Sequence, residues 1–142
     1  MRVCLIIPPS PFLLDERVFV QLGILKIASV LEQHDYTVDM IDLSGVENYT
    51  DVLTDYAKRK DRADIFGVTA TTPQVPYAVK ISQHLKALLP GKQSKVILGG
   101  PHVTLMHTAA KREAKKNLVG SDRATKDIEA LKNFFDVLVC GD

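Results

Sequence analysis

The chain has 142 residues, 46% of them hydrophobic and 25% charged, and its 18 Lys plus Arg stand against 17 Asp plus Glu for a formal charge of +1. That is the mix of one globular domain, and it excludes a disordered tail, a collagen-like repeat and a coiled coil. The charge balance argues against a dedicated nucleic-acid binder, which carries a basic excess on one face.

A domain of this length buries roughly two-thirds of its unfolded surface and needs neither disulfide nor structural metal to hold together. Cys4 and Cys140 each lie in an apolar run near opposite ends of the chain, which reads as two core thiols rather than a disulfide. Two cysteines alone supply neither a zinc site nor an iron–sulfur cluster. No apolar run reaches the ~18 residues that span a bilayer, and the N-terminus lacks the layout of a signal peptide. A cytoplasmic protein without a membrane partner is expected.

In chain order, Val3 to Ile7 is a short apolar run closed by Pro8-Pro9, and a stiff apolar loop, Pro8 to Leu14, follows it. Asp15 and Glu16 are placed to cap a helix beginning near Phe19, whose apolar face is Leu22, Leu25, Ile27, Ala28 and Leu31. Thr37 to Leu43 alternates apolar and acidic residues, as an edge strand does, and ends at Ser44-Gly45. Tyr49 to Lys60 carries Val52, Leu53, Tyr56 and Ala57 at helical spacing. Ile65 to Ala70 is a third strand, and Pro76 to Leu89 a helix with Ala78, Ile81, Leu85 and Leu88 on one side, stopped by Pro90-Gly91.

Lys95 to Leu98 is a fourth strand, leading into Gly99-Gly100 and a loop through Thr104. Met106 to Asn133 turns polar and charged and reads as two short helices divided near Gly120-Ser121. Its basic cluster of Lys111, Arg112, Lys115 and Lys116 is a solvated helix face, or else touches a phosphate or a partner. Asp136 to Cys140 is the last strand, ahead of Gly141-Asp142. His34, His84 and His107 read as surface residues. Strand–helix alternation of this kind predicts an α/β fold. The expected form is a three-layer Rossmann-like (flavodoxin-like) five-stranded parallel sheet of order 2-1-3-4-5, with residues 1–142 as one domain.

Ligands of such sheets sit beyond the carboxyl ends of the strands. This chain places there a proline loop at Pro9-Ser10, the turn Thr69-Ala70-Thr71-Thr72-Pro73-Gln74, the segment Gly99-Gly100-Pro101-His102-Val103, and Gly141. No G-x-G-x-x-G follows the first strand and no P-loop is present, so the usual dinucleotide and triphosphate sites are excluded. The prolines displace a flavodoxin phosphate loop, and Leu5-Ile6-Ile7 leaves no room for the acidic pair of a response-regulator receiver. No catalytic triad or acid–base pair can be assembled, so no catalytic residue is assigned. Glycines admit close backbone approach, and threonine hydroxyls bond amides or phosphates. The edge suits a broad, mostly apolar cofactor. Thr71 and Thr72 are equally readable as helix caps, and Gly99-Gly100 as a plain strand-ending turn.

Over nearly its whole length the chain resembles the N-terminal cobalamin-binding domain of cobalamin-dependent radical S-adenosylmethionine enzymes. The resemblance rests on Ile7-Pro8-Pro9-Ser10-Pro11, Gln21-Leu22-Gly23-Ile24-Leu25, Val38-Asp39-Met40-Ile41-Asp42, Gly67 to Gln74, Ile97 to Thr104 and Asp136 to Asp142. It implies cobalamin against the carboxyl edge, held by Pro9, Ser10, Thr69, Ala70, Thr71, Thr72, Gln74, Gly99, Gly100, Pro101, His102, Val103 and Gly141. Methionine-synthase-like relatives carry D-x-H-x-x-G after the first strand, with His ligating cobalt. No His stands there in this chain, so a His-off mode is implied with the lower ligand unassigned.

The family transfers methyl groups or drives radical rearrangements, using a 4Fe-4S cluster and S-adenosylmethionine in a second domain with a C-x-x-x-C-x-x-C motif. That motif is absent from these residues, so the radical catalytic domain is an expected partner in cis and the chain is not catalytic alone. Two other readings stay open from the residues: a cofactor-free flavodoxin-like interaction module, and a binder of nucleotide-like small ligands.

Overall fold

Val3, Leu5 and Ile7 point to one side of the first strand and Cys4 and Ile6 to the other, and all five are buried. A strand apolar on both sides requires cover on both. In the computed structural model, which describes residues 1–91, 94–116, 120 and 122–141, that strand, β1 (Arg2–Ile7), lies inside a five-stranded parallel sheet. The others are β2 (Thr37–Asp42), β3 (Ile65–Thr69), β4 (Lys95–Gly99) and β5 (Val137–Leu138), in the order β2-β1-β3-β4-β5. Register runs Val3 with Val38 and Ile65, Thr69 with Gly99, and Ile97 with Val137. The expected α/β fold and strand order are those observed, with helices on both sides of the sheet.

The helices are α1 (Leu22–Gln33), α2 (Tyr49–Ala57), α3 (Val75–Leu88), α4 (Pro101–Lys116) and α5 (Arg123–Leu131). Residues from α2, α3, α4 and α5 build the larger core with Cys4, Ile6, Phe66, Val68, Val96 and Leu98. Helix α1 stands on the opposite face, where Ile24 and Ala28 pack on Val3, Leu5 and Ile7. The edge position of β2 explains its alternation. Its Asp39 accepts hydrogen bonds from Arg2 at 2.8 Å and from the Tyr56 hydroxyl at 2.6 Å, closing the amino-terminal end of the sheet. No helix among the described residues is long and apolar enough to cross a membrane.

Several boundaries differ from the sequence expectation. Helix α1 starts at Leu22 rather than near Phe19, because Asp15 and Glu16 turn back instead of capping it. Asp15 accepts from the Arg17 N–H at 2.9 Å, and Glu16 from the Ser10 N–H. Leu43 leaves the edge strand yet is fully buried. Helix α2 stops at Ala57, where Arg59 leaves the helical path to pair with Asp61 and cover the Tyr56 ring. Strand β5 is only two residues long, since Cys140 turns away toward the Val103 carbonyl of α4. Cys140 is accordingly half-buried rather than a core thiol, unlike Cys4.

The segment after Gly100 is helix, not loop. Gly100 takes φ +98° to turn the chain, and Pro101 then occupies the first helical turn, where a missing N–H is harmless. Gly120, at φ +85°, falls between α4 and α5 as expected, whereas Ser121 and Asp142 lie outside the described residues. Lys111, Arg112, Lys115 and Lys116 are exposed on α4.

Candidate functional site at the carboxyl edge

The strand exits are tied into one rim by short bonds. The Ala70 N–H donates to the Gly99 carbonyl at 3.1 Å, and the His102 N–H to the Ala70 carbonyl at 3.1 Å. On the far side the Gly141 N–H donates to Thr104 Oγ1 at 3.0 Å, and that hydroxyl donates to the Gly100 carbonyl at 3.2 Å. The exits of β3, β4 and β5 thus sit at one level, with the β1 loop fastened to them by Gln74.

Gln74 is buried and fully used. Its Nε2 donates to the Pro8 carbonyl at 3.1 Å and to Ser10 Oγ at 2.7 Å. Its Oε1 accepts from the Thr71 N–H at 3.0 Å and the Thr71 hydroxyl at 3.1 Å. A short 3-10 turn, Thr72–Gln74, holds the side chain there and leads directly into α3. The crevice between the diverging β1 and β3 connections is therefore spanned by the protein's own amide.

The sequence-predicted residues divide by exposure. Thr69, Thr71, Thr72, Gly99, Gly100, Pro101 and Gly141 reach solvent along the rim, whereas Pro9, Ser10, Ala70, Gln74, His102 and Val103 are buried beneath it. Ser10 and Gln74 spend their polar atoms on each other and on the loops. His102 turns inward from α4, its Nδ1 3.0 Å from Thr72 Oγ1. Burial holds its imidazole below the usual histidine range, against the raising influence of Asp127. It is thus a support for the Thr72 hydroxyl. His84 is no loose surface residue either: its Nε2 lies 2.8 Å from Thr54 Oγ1 and 3.0 Å from the Thr50 carbonyl, clasping α3 to α2.

The two glycines after β4 have different reasons to be glycine. A Cβ on Gly100 would lie 2.6 Å from Thr69 Oγ1 and 2.8 Å from the Ala70 nitrogen, so the chain itself requires that residue. A Cβ on Gly99 would meet nothing nearer than the Val139 carbonyl at 3.8 Å. Gly99 follows Ile97 on the sheet face that α1 leaves bare, so the missing side chain keeps a shallow ledge open at the top of β4. A flat cofactor could approach backbone there, beside Thr69, the register partner of Gly99.

On the other side of the Gln74 bridge lies a second concave surface that the strand-end inventory missed. A cleft of about 440 Å³ opens between the β1 loop, the turn after β2 and the first turns of α2 and α3, lined by Pro9, Pro11, Glu16, Glu47, Tyr49 and Tyr77. The Tyr49 and Tyr77 rings meet edge to face, centroids 6.4 Å apart. The available signal was positional: each tyrosine falls in the opening turn of a helix that follows a strand, and such turns lie on the carboxyl edge.

Residues 16–130 match the family described as the B12 binding domain. No curated protein and no solved structure matches the chain.

Proposed function

The chain belongs to the B12-binding domain family, and from that premise we propose that it is the cobalamin-binding domain of a radical S-adenosylmethionine enzyme, seating the corrin on the ledge at Gly99. The observation that carries this reading is the open Cβ position at Gly99, paired with Thr69 on one side and beside Val139 on the other. A large disc bound there loses no contact to side chains, and the threonine hydroxyls supply hydrogen bonds at its edge. Thr69, Thr71, Thr72, Gly99 and Gly141 would hold the cofactor directly. Gln74, Ser10 and His102 act from beneath by fixing the loops. Bound cobalamin would supply cobalt-centred methyl-transfer or radical chemistry.

The His-off mode fits the same layout. The loop after β1 presents Pro8-Pro9-Ser10, and the His102 imidazole is turned toward Thr72 rather than to the ledge. The finer assignment to a radical enzyme, a methyltransferase in particular, rests on the motif resemblance at the strand ends. The 4Fe-4S cluster and S-adenosylmethionine would then belong to a catalytic domain in cis. The exposed apolar loop residues Phe12, Leu13, Leu14, Phe19 and Val20 beside the rim favour such a covering partner.

Mixing the protein with hydroxocobalamin, desalting and recording the visible spectrum tests the cofactor reading. Corrin absorbance should travel with the protein, and G99F should abolish it without shifting the thermal melt, since the new ring enters open space. A colourless wild-type protein would overturn the reading in favour of a cofactor-free interaction module. The radical assignment is checked separately by searching the full reading frame beyond residue 142 for C-x-x-x-C-x-x-C.

A further inference from the structure

Charge is unevenly divided along this chain. Residues 1–64 carry seven Lys or Arg against eleven Asp or Glu, and residues 65–142 carry eleven against six. From Ile65 to Arg112 there is no acid at all. The first group builds β1, β2, α1 and α2 and the second builds the rest, so the boundary falls between β1 and β3 in the sheet. One end of the molecule is therefore acidic and the other basic.

The excess cations gather on α4. Lys111, Arg112, Lys115 and Lys116 are all exposed there, and the pairs Lys111–Lys115 and Arg112–Lys116, each four residues apart, repel each other. Lys115 and Lys116 occupy the last turn, where cations are favoured, but Lys111 and Arg112 lie a turn earlier. The single carboxylate of this helix, Glu113, is spent on α5, accepting from the Ala124 N–H at 3.1 Å and the Thr125 N–H at 3.2 Å. Asp122 and Glu129 pair with Lys126 and Lys132. Among the described residues no carboxylate forms an ion pair with any of the four α4 cations. Leu105, 60% exposed, precedes Arg112 by two turns on the same face of the helix.

We propose that this face of α4 docks an acidic helix of a partner protein. Its two rows of cations call for carboxylates on two adjacent rows, and Leu105 for one apolar residue two turns away. Arg112 adds the planar fork that holds a carboxylate by two bonds. A nucleic acid or an anionic bilayer fits less well, because its extended field also meets the acidic end of the molecule, whereas a single helix meets only the basic end. Helix α4 packs on the sheet face opposite α1, and the ledge at Gly99 opens on the α1 side, so this docking surface is independent of the cofactor reading.

The test is a titration of the full chain, read by anisotropy, into a fluorescein-labelled helical peptide with four glutamates on two adjacent rows and a leucine two turns away. This peptide should bind at least about ten-fold more tightly than its glutamine counterpart, and roughly 0.5 M salt should erase most of the difference. The variant R112E/K115E/K116E should lose about ten-fold or more, and L105A about three-fold. K26E/K58E/K60E makes the same change in net charge at the acidic end and should stay within about two-fold of wild type. All seven positions are exposed, so these variants are expected to fold, and equal melting temperatures check it. Equal binding of the two peptides, wild-type affinity in either α4 variant, or an equal loss in K26E/K58E/K60E would overturn the proposal. Tighter binding to a single-stranded oligothymidylate or to phosphatidylserine vesicles than to the peptide would overturn it too, assigning the stripe to a polyanion.

Discussion

Gly99 and Gly100 are adjacent and chemically identical, yet their surroundings make opposite demands. At Gly100 the backbone lies at φ +98°, and any Cβ would press on Thr69 and Ala70. G100A should therefore lower the urea midpoint by the equivalent of about 1–3 kcal/mol, the usual cost of holding a side chain in that backbone region, with the added clash pushing toward the upper end. G99A should stay within about 0.5 kcal/mol of wild type, as substitutions into open surface do. Equal losses at both positions would show that Gly99 is also held by packing and would remove the argument for an open ledge. Elsewhere a single side chain can be read just as definitely. Burial pushes the Cys4 thiol up to about 12 despite its contact with Tyr56, so it is an inert core group.

At the scale of elements, the rim depends on one amide crossing between two connections. Removing it as Q74A strands the Thr71 N–H, the Ser10 hydroxyl and the Pro8 carbonyl in a buried setting, a loss of roughly 1–3 kcal/mol. The effect should be local as well as global: amide exchange at Thr71 should accelerate strongly, while Phe66 in the middle of β3 changes only as far as overall stability falls. Uniform acceleration at both would mean that the β1 and β3 loops are not a separate unit. This bridge marks the boundary of what the sequence could reveal. Continuous apolar runs with proline and glycine stops were enough to place β1, β3 and β4, and alternation in β2 was enough to place it at an edge. Tertiary contacts decided the rest. The start of α4 at Pro101 follows from the positive φ of Gly100, which depends on how near Thr69 comes. The inward turn of His102 follows from its position in that helix. The cleft draws Glu16, Glu47, Tyr49 and Tyr77 from three separate connections, and no local pattern announces such a meeting.

Across the whole molecule the two faces of the sheet are covered unequally. Among the described residues, four helices contribute to one core, while α1 alone lies on the other face, over β1. Parallel sheets are buried on both sides, yet Val137 is 46% and Val139 52% exposed on the α1 side, and the outer surface of α1 leaves Ile27 54% and Val30 53% exposed. Exposed apolar surface of this kind marks a contact region, and a catalytic domain joined in cis is the partner that the proposed function supplies. The isolated chain should therefore bind 8-anilinonaphthalene-1-sulfonate while fully folded. The double variant I27K/V137K should lower that fluorescence sharply and leave the melting temperature within about 3 °C, because neither side chain is buried. A weak dye signal at the wild type, together with a dimer in sedimentation velocity, would mean that a second copy covers the face. A large fall in melting temperature without dimerisation would mean that the two side chains are packed within the chain itself, and the argument for a docked catalytic domain would lose its physical basis.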